Sequence, residues 1–181
     1  MSATDILRHE HQVVMLALSG AEKLLHDIEL NGKVNIERIR KFIDFSRHFT
    51  DGCHHIKEEK LLFPKMIDNG FDGDSGPVGV MLYEHQEGRK FIKNMFEIVS
   101  VNDDLEKSDI EKLSSNLRGY ITLLRNHIYK ENEILFNMAD NVLRPEIQEE
   151  LVQSFNKVET EEVGEGVHER FHQIAHELAE S

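Results

Sequence analysis

Apolar residues recur at three- and four-residue spacing along almost the whole chain, which is the period of an amphipathic helix. No alternating stretch is long enough to predict a strand. The pattern predicts helix one over about Thr4–Glu29, stopped at Asn31-Gly32. Helix two should run from about Ile36 to Ile67, capped by Asn35 and ended by Asn69-Gly70, with Pro64 kinking its last turn. Residues 69–77, rich in Gly and Asp, read as a loop. Helix three follows over about Val78–Val101. Helix four runs from a Ser108 cap to about Asn141. Pro145 opens a fifth helix to about Val158, Gly164 and Gly166 break the chain, and a short last helix covers Val167–Ala179. Four long helices on short connections imply an all-α fold, an antiparallel up-down four-helix bundle over about residues 4–141. A helical extension over about 145–181 completes a single domain.

Charge narrows the partners. With 34 acidic against 21 basic residues the net charge is −13, which argues against a phosphate backbone or an anionic membrane surface as a partner. No apolar run approaches the roughly 20 residues that cross a bilayer. No secretion signal is visible and the single Cys53 excludes an internal disulfide, so a cytoplasmic setting is expected.

Histidine is the unusual component, with 11 copies. Residues 54–63 read HHIKEEKLLF and residues 127–136 read HIYKENEILF, which align without gaps 73 residues apart. His54 thus matches His127, Glu58 matches Glu131, and Leu62-Phe63 matches Leu135-Phe136. Glu10-His11-Gln12 recurs 74 residues on as Glu84-His85-Gln86. The chain reads as two related helical hairpins, each with a lone His followed by a His-x-x-x-Glu pair.

A four-residue step on a helix turns a side chain by only about 40°, so each His and its Glu share a face. Thr50 and Leu61 share that of His54; Tyr120, Leu123, Ile134 and Met138 share that of His127. Met81, Ile92 and Phe96 accompany His85, and Leu7 and Leu18 accompany His11. All six residues should therefore face the core, where an unpartnered charge costs several kcal/mol or more. Four imidazoles and two carboxylates pair poorly with one another, but they suit iron, copper or zinc. Six ligands exceed what one structural zinc takes, whereas two metals fit. Each would take two His, with Glu58 and Glu131 bridging.

These motifs, in this order, resemble the hemerythrin-like proteins with a His-His-Glu cation-binding domain. The resemblance rests on Glu10-His11, HHIKEEKLLFP at 54–64, EHQEGR at 84–89 and HIYKENEILF at 127–136. It implies two iron ions, oxo- or hydroxo-bridged, held by His11, His54, Glu58, His85, His127 and Glu131. The expected function is to bind or react with a small oxidant: dioxygen, peroxide or nitric oxide. Alternatives are a module that senses iron or oxygen through a partner, or repair of damaged iron centres. Repair relatives often carry a further cysteine-bearing N-terminal region, which this sequence does not display.

Oxygen carriers of the family place a second His four residues after the first on helix three, where this chain has Arg89, which leaves one iron more open. A guanidinium offers no lone pair, so Arg89 is expected to pair with an acid, Glu58, Glu131 or another at the bundle wall, or to reach solvent. His55 and Glu59 should point about 100° away from the ligand face. His9, His26 and His48 should be solvated, as should the charge runs near Glu149 and Glu159–Glu162. Cys53 should be inert. The last helix should dock through Val167, Phe171, Ile174 and Leu178, and His168 or His172 is a candidate for the missing ligand.

Overall fold

The computed structural model describes the chain except residues 102, 103, 165 and 181 and the side chains of 161–163. Among the described residues every regular element is helical. Helix α1 spans Ala3–Asn31. Ser2 starts it with a reciprocal capping box: its hydroxyl accepts from the Asp5 N–H while the Asp5 carboxylate accepts from the Ser2 N–H. Gly32 ends it in the left-handed region, φ 64°, where only glycine pays no steric penalty.

Helix α2 covers residues 36–68. It begins as Ile36–Phe45, where the Asn35 side chain accepts from the Arg38 N–H as expected. The winding then changes: Ser46–His55 and Glu58–Leu62 are π-helical, and Phe63–Asp68 returns to α. Pro64 stands at the start of this last α segment, directly after the π turn. Helix α3 is Gly76–Val101. Helix α4 comprises Lys107–Lys130, a π turn at Glu131–Leu135, and Phe136–Val142. Ser108 is not its cap: Glu106 holds that place without a side-chain bond. Helix α5, Pro145–Lys157, ends in a π turn over Val158–Val163, and α6 is Val167–Glu180.

The π turns move side chains off the α-helical phase, because i→i+5 bonding takes an extra residue per turn. Ile134 and Met138, expected inside with His127, are 49% and 36% exposed; Leu135, Phe136 and Ala139 take the buried positions. Phe96 is also exposed, 43%, rather than in the core beside His85.

Helix α1 packs against α2, α4 and α6, α2 packs against α3, and α3 packs against α4. Helix α6 docks through buried Phe171, Ile174 and Leu178 with Val167 half-buried. Gly20 allows this close approach, since a Cβ there would lie 2.2 Å from the Leu178 carbonyl oxygen.

Two apolar clusters form the core. One contains Val14, Leu18, Phe42, Phe45, Met95 and Leu117 among others; the second contains Leu7, Phe63, Met66, Met81, Phe136 and Phe155. A layer of buried polar groups separates them: Glu10-His11, His54, His55, Lys57 and Glu58, His85, and His127 with Glu131. Each of the four long helices passes from one cluster, through the polar layer, into the other, and the order reverses from one helix to the next.

Candidate metal centre

The polar layer brings all six sequence candidates together. His11, His54, Glu58 and Glu131 form one group, with a ligand atom from each lying within 4.8 Å of the others. Glu58, His85 and His127 form a second group, joined by His55. The pairs across the layer are close: His11 Nε2 is 3.1 Å and His127 Nε2 is 3.2 Å from Glu131 Oε2. His85 Nε2 is 3.4 Å from Glu58 Oε2, and His54 Nε2 is 3.5 Å from Glu58 Oε1. These approaches lack hydrogen-bond geometry. Nε2 of His11, His54 and His55 and all four oxygens of Glu58 and Glu131 are buried without a hydrogen-bond partner. Orphaned buried polar atoms of this kind are rare and costly. Seven of them converging from imidazoles and carboxylates have the donor types that a transition-metal ion takes.

The outer face of every ring is also accounted for. Nδ1 of His54 meets Glu10 Oε2 at 2.8 Å, that of His127 meets Glu84 Oε2 at 3.0 Å, and that of His85 meets Glu59 Oε1 at 2.7 Å. His11 Nδ1 meets Asn132 Oδ1 at 2.8 Å and His55 Nδ1 meets Asp51 Oδ1 at 3.2 Å. Each oxygen accepts, so each Nδ1 donates, and in the neutral ring Nε2 keeps its lone pair for the interior. Outer partners of this type orient metal-ligating imidazoles and raise their basicity.

The sequence repeat extends into this outer layer. Glu10 and Glu84, the residues before His11 and His85, hold His54 and His127. Glu59 and Asn132, the residues after Glu58 and Glu131, hold His85 and His11. Lys57 donates to Glu10 as Lys130 does to Glu84. Only the spine of this arrangement, the His and Glu ligand candidates, is visible from spacing alone.

His55 is the residue that helical phase misplaces. It is 5% exposed and its ring stacks on that of His85, centroids 3.8 Å apart. The 100° offset from His54 assumes α-helical winding, but both residues end a ten-residue π segment, where neighbouring side chains fall closer in angle. The doublet His54-His55 was the available signal. Glu59 matches expectation better, lying outside the inner groups and bonding His85.

Electrostatics follow from this crowding. Burial alone would lower His54 and His127, but the Glu58 charge beside the first and the Glu131 charge beside the second outweigh it, raising them to about 10 and about 9. Burial and Glu131 tend to raise Glu58, yet the His54 charge and the close approach of the His54 and His85 rings bring it down to about 2. Glu131 is held low against burial by His127 and His11. Burial, then the charge of His85, pushes His55 down to about 3.

Arg89 pairs with acids at the wall, but not with Glu58 or Glu131. Its Nε donates to Asp51 Oδ1 and its NH2 to Glu59 Oε1, both at 2.8 Å. His168 and His172 do not join either group. His168 Nε2 lies 3.6 Å from Glu10 Oε1, beyond the ring that Glu10 holds, and His172 lies against Phe49 and His9. His9, His26 and His48 are exposed, as is Glu149, while the side chains of Glu161 and Glu162 lie outside the described residues. Cys53 is buried, and burial, then the Glu10 charge, pushes its thiol up to about 12, which leaves it unreactive. No helix is long and apolar enough to cross a membrane among the described residues.

The chain is 33% identical over 89 residues to the iron-sulfur cluster repair protein YtfE of Pectobacterium atrosepticum, covering 48% of this chain and 40% of that protein. It is 34% identical over 86 residues to the iron-sulfur cluster repair protein DnrN of Neisseria gonorrhoeae, covering 46% of this chain and 54% of that protein. The chain thus spans about half the length of these relatives or less. No solved structure matches. Residues 2–139, and with them every ligand candidate, match the hemerythrin HHE cation binding domain, and the chain belongs to that metal-binding family.

Proposed function

We propose that this chain is a single domain, an up-down four-helix bundle with a C-terminal helical extension, that holds two iron ions and reacts with a small oxidant. Reversal of the cluster order from helix to helix supports the up-down reading. The ligands are His11, His54, Glu58, His85, His127 and Glu131, with His55 as a seventh. The observation that carries this reading is the five imidazoles whose Nδ1 atoms are all tied outward while their Nε2 atoms face two buried carboxylates. Three imidazoles would serve one ion and two the other, with Glu58 and Glu131 shared.

Iron in such a setting supplies one-electron redox steps and an exchangeable position for a small ligand. The chain's own groups do the rest. Glu10, Glu59, Glu84, Asp51 and Asn132 fix ring orientation. The two apolar clusters exclude bulk water from the layer between them. Arg89 and Lys130 neutralise the outer carboxylates.

The relatives favour one use of this chemistry, repair of iron-sulfur clusters, because two proteins with that name share about a third of the matched residues. A reducing cytoplasm suits both uses. The ferrous protein should be mixed with nitric oxide, dioxygen and peroxide in a stopped-flow spectrometer, and separately with a nitric-oxide-damaged iron-sulfur enzyme. Reaction with at least one oxidant supports the first reading, and recovery of the damaged enzyme adds the second. Silence toward all three oxidants removes it.

A further inference from the structure

A cavity of about 210 Å³ lies between α2, α3 and α4, and its inner end is formed by His55, His85 and His127. Its walls are apolar, built from Ile92, Tyr120, Leu123 and Leu124, with Phe96 among the lining residues. A cavity of about 150 Å³ is enough to hold benzene, and a diatomic gas or peroxide needs far less. The space is therefore larger than the small oxidants require.

Gly88 keeps it open. This residue is buried in the middle of α3, where glycine weakens a helix relative to alanine. No close contact demands it: a Cβ would meet Tyr120 at 3.6 Å and Leu123 at 3.8 Å, ordinary packing distances. What a larger side chain would do is fill the cavity. In the repeat the equivalent residue of α1 is Val14, which is buried in the core.

The charge of the lining is the second observation. Its two carboxylates are already matched, Asp51 by Arg89 and Glu84 by Lys130. Arg47 lies over the Phe96 ring, 4.7 Å from its centroid, and has no carboxylate partner among the described residues. Lys93 is exposed with only Glu97 at 3.8 Å. Three cationic groups, Arg47, Arg89 and Lys93, line the cavity against two carboxylates, in a chain of net charge −13.

We propose that the cavity binds a small organic anion, an apolar body of roughly six to eight carbons bearing one carboxylate. The carboxylate meets Arg47 and Lys93, and the apolar body lies along Ile92, Tyr120 and Leu124 with its far end against the three imidazoles. The consequence for the centre rests on the proposed metal site, whereas the binding itself does not. The substrate class thereby widens from a free diatomic to an amphiphilic acid brought against the three-histidine side.

Calorimetric titration of the iron-loaded protein with hexanoate, hexan-1-ol and hexylammonium tests this, with iron measured on the same sample. Hexanoate should bind one per chain, hexan-1-ol more weakly, and hexylammonium not at all. Arg47→Glu should weaken hexanoate about fivefold, the scale of an exposed charge pair. Gly88→Leu should abolish binding, and Leu123→Trp, which fills the same space from α4, serves if the first variant loses its helical signal. Absent hexanoate binding, equal binding of hexylammonium, or binding unaffected by a cavity-filling variant that remains folded would overturn the proposal. Hexanoate binding in a sample that lacks two irons would instead count against the metal reading alone.

Discussion

His55 lies flat on His85, with ring planes 18° apart and centroids separated by 3.8 Å. Their Nδ1 atoms are held by Asp51 and Glu59, and the Arg89 guanidinium binds both of those carboxylates. One cation on α3 therefore steers two imidazoles from two helices. The position that aligns with His55 in the second hairpin is Ile128, so this feature breaks the symmetry of the repeat. The layer carries three imidazoles on one side and two on the other.

Replacing His55 by Phe keeps an aromatic ring over His85 but removes the nitrogen. Iron content should fall from about two to about one per chain, with the fold retained. Elemental analysis and far-ultraviolet circular dichroism check both parts. Two irons in the variant would return His55 to a packing role.

Glu10 and Glu84 are equivalents in the repeat but differ in what they neutralise. Glu10 faces Lys57, which is fully buried, whereas Glu84 faces Lys130, whose side chain is 33% exposed. Either residue changed to Ala should lower iron affinity about 10–100-fold, the usual effect of removing an outer partner of a ligand. Glu10→Ala should in addition destabilise the metal-free protein by about 2 kcal/mol more than Glu84→Ala, because it strips a buried ammonium of one partner. Urea denaturation of the two variants gives the comparison, and equal losses of stability would be against it.

Stability and metal affinity should respond to pH in opposite directions. His54 and His127 titrate at about 10 and about 9 when folded, against 6.5 when unfolded. Their contribution is complete below pH 6.5 and lost as pH rises through 9 to 10. Glu58, at about 2 against 4.5, contributes above pH 4.5 and loses that contribution as pH falls toward 2. The metal-free protein should thus melt highest between pH 4.5 and 6.5. Metal binding expels the imidazole protons, so affinity should rise over pH 6.5 to 9 while metal-free stability falls. Thermal melts and competition with a chelator across that range would expose a wrong sign in either.

The π turn at Glu131–Leu135 predicts an inverted pair of mutational effects. Leu135→Ala should cost about 2–5 kcal/mol, the range for a buried Leu, while Ile134→Ala should stay within about 0.5 kcal/mol. A continuous α-helix would put Ile134 inside and reverse the order. Urea midpoints of the two variants decide between them.

Much of this architecture is legible in the sequence because it depends on local spacing. Helix positions follow from the period of apolar residues and from Asn35, Gly32 and Pro145, and they differ from the structure by only a few residues at the ends. His54 with Glu58 and His127 with Glu131 are legible because a four-residue step keeps them on one face under either winding. His55 is not, and neither is the exposure of Ile134 and Met138, since each depends on where a helix changes from α to π. The sequence leaves Arg89 either an acid at the wall or solvent, and the choice of Asp51 and Glu59 is set by packing between α2 and α3. The supporting set Glu10, Glu59, Glu84 and Asn132 shares the repeat, yet only tertiary contact shows which ring each one holds.

The proposed centre places two irons in the layer between the clusters. Protein loaded with ferrous iron without oxygen, desalted, and assayed for metal against protein concentration tests it most directly. About two irons per chain are expected, with a loss of iron when an inner ligand such as His54 or His127 is replaced. One metal per chain, or retention of zinc in place of iron when both are offered, would contradict it.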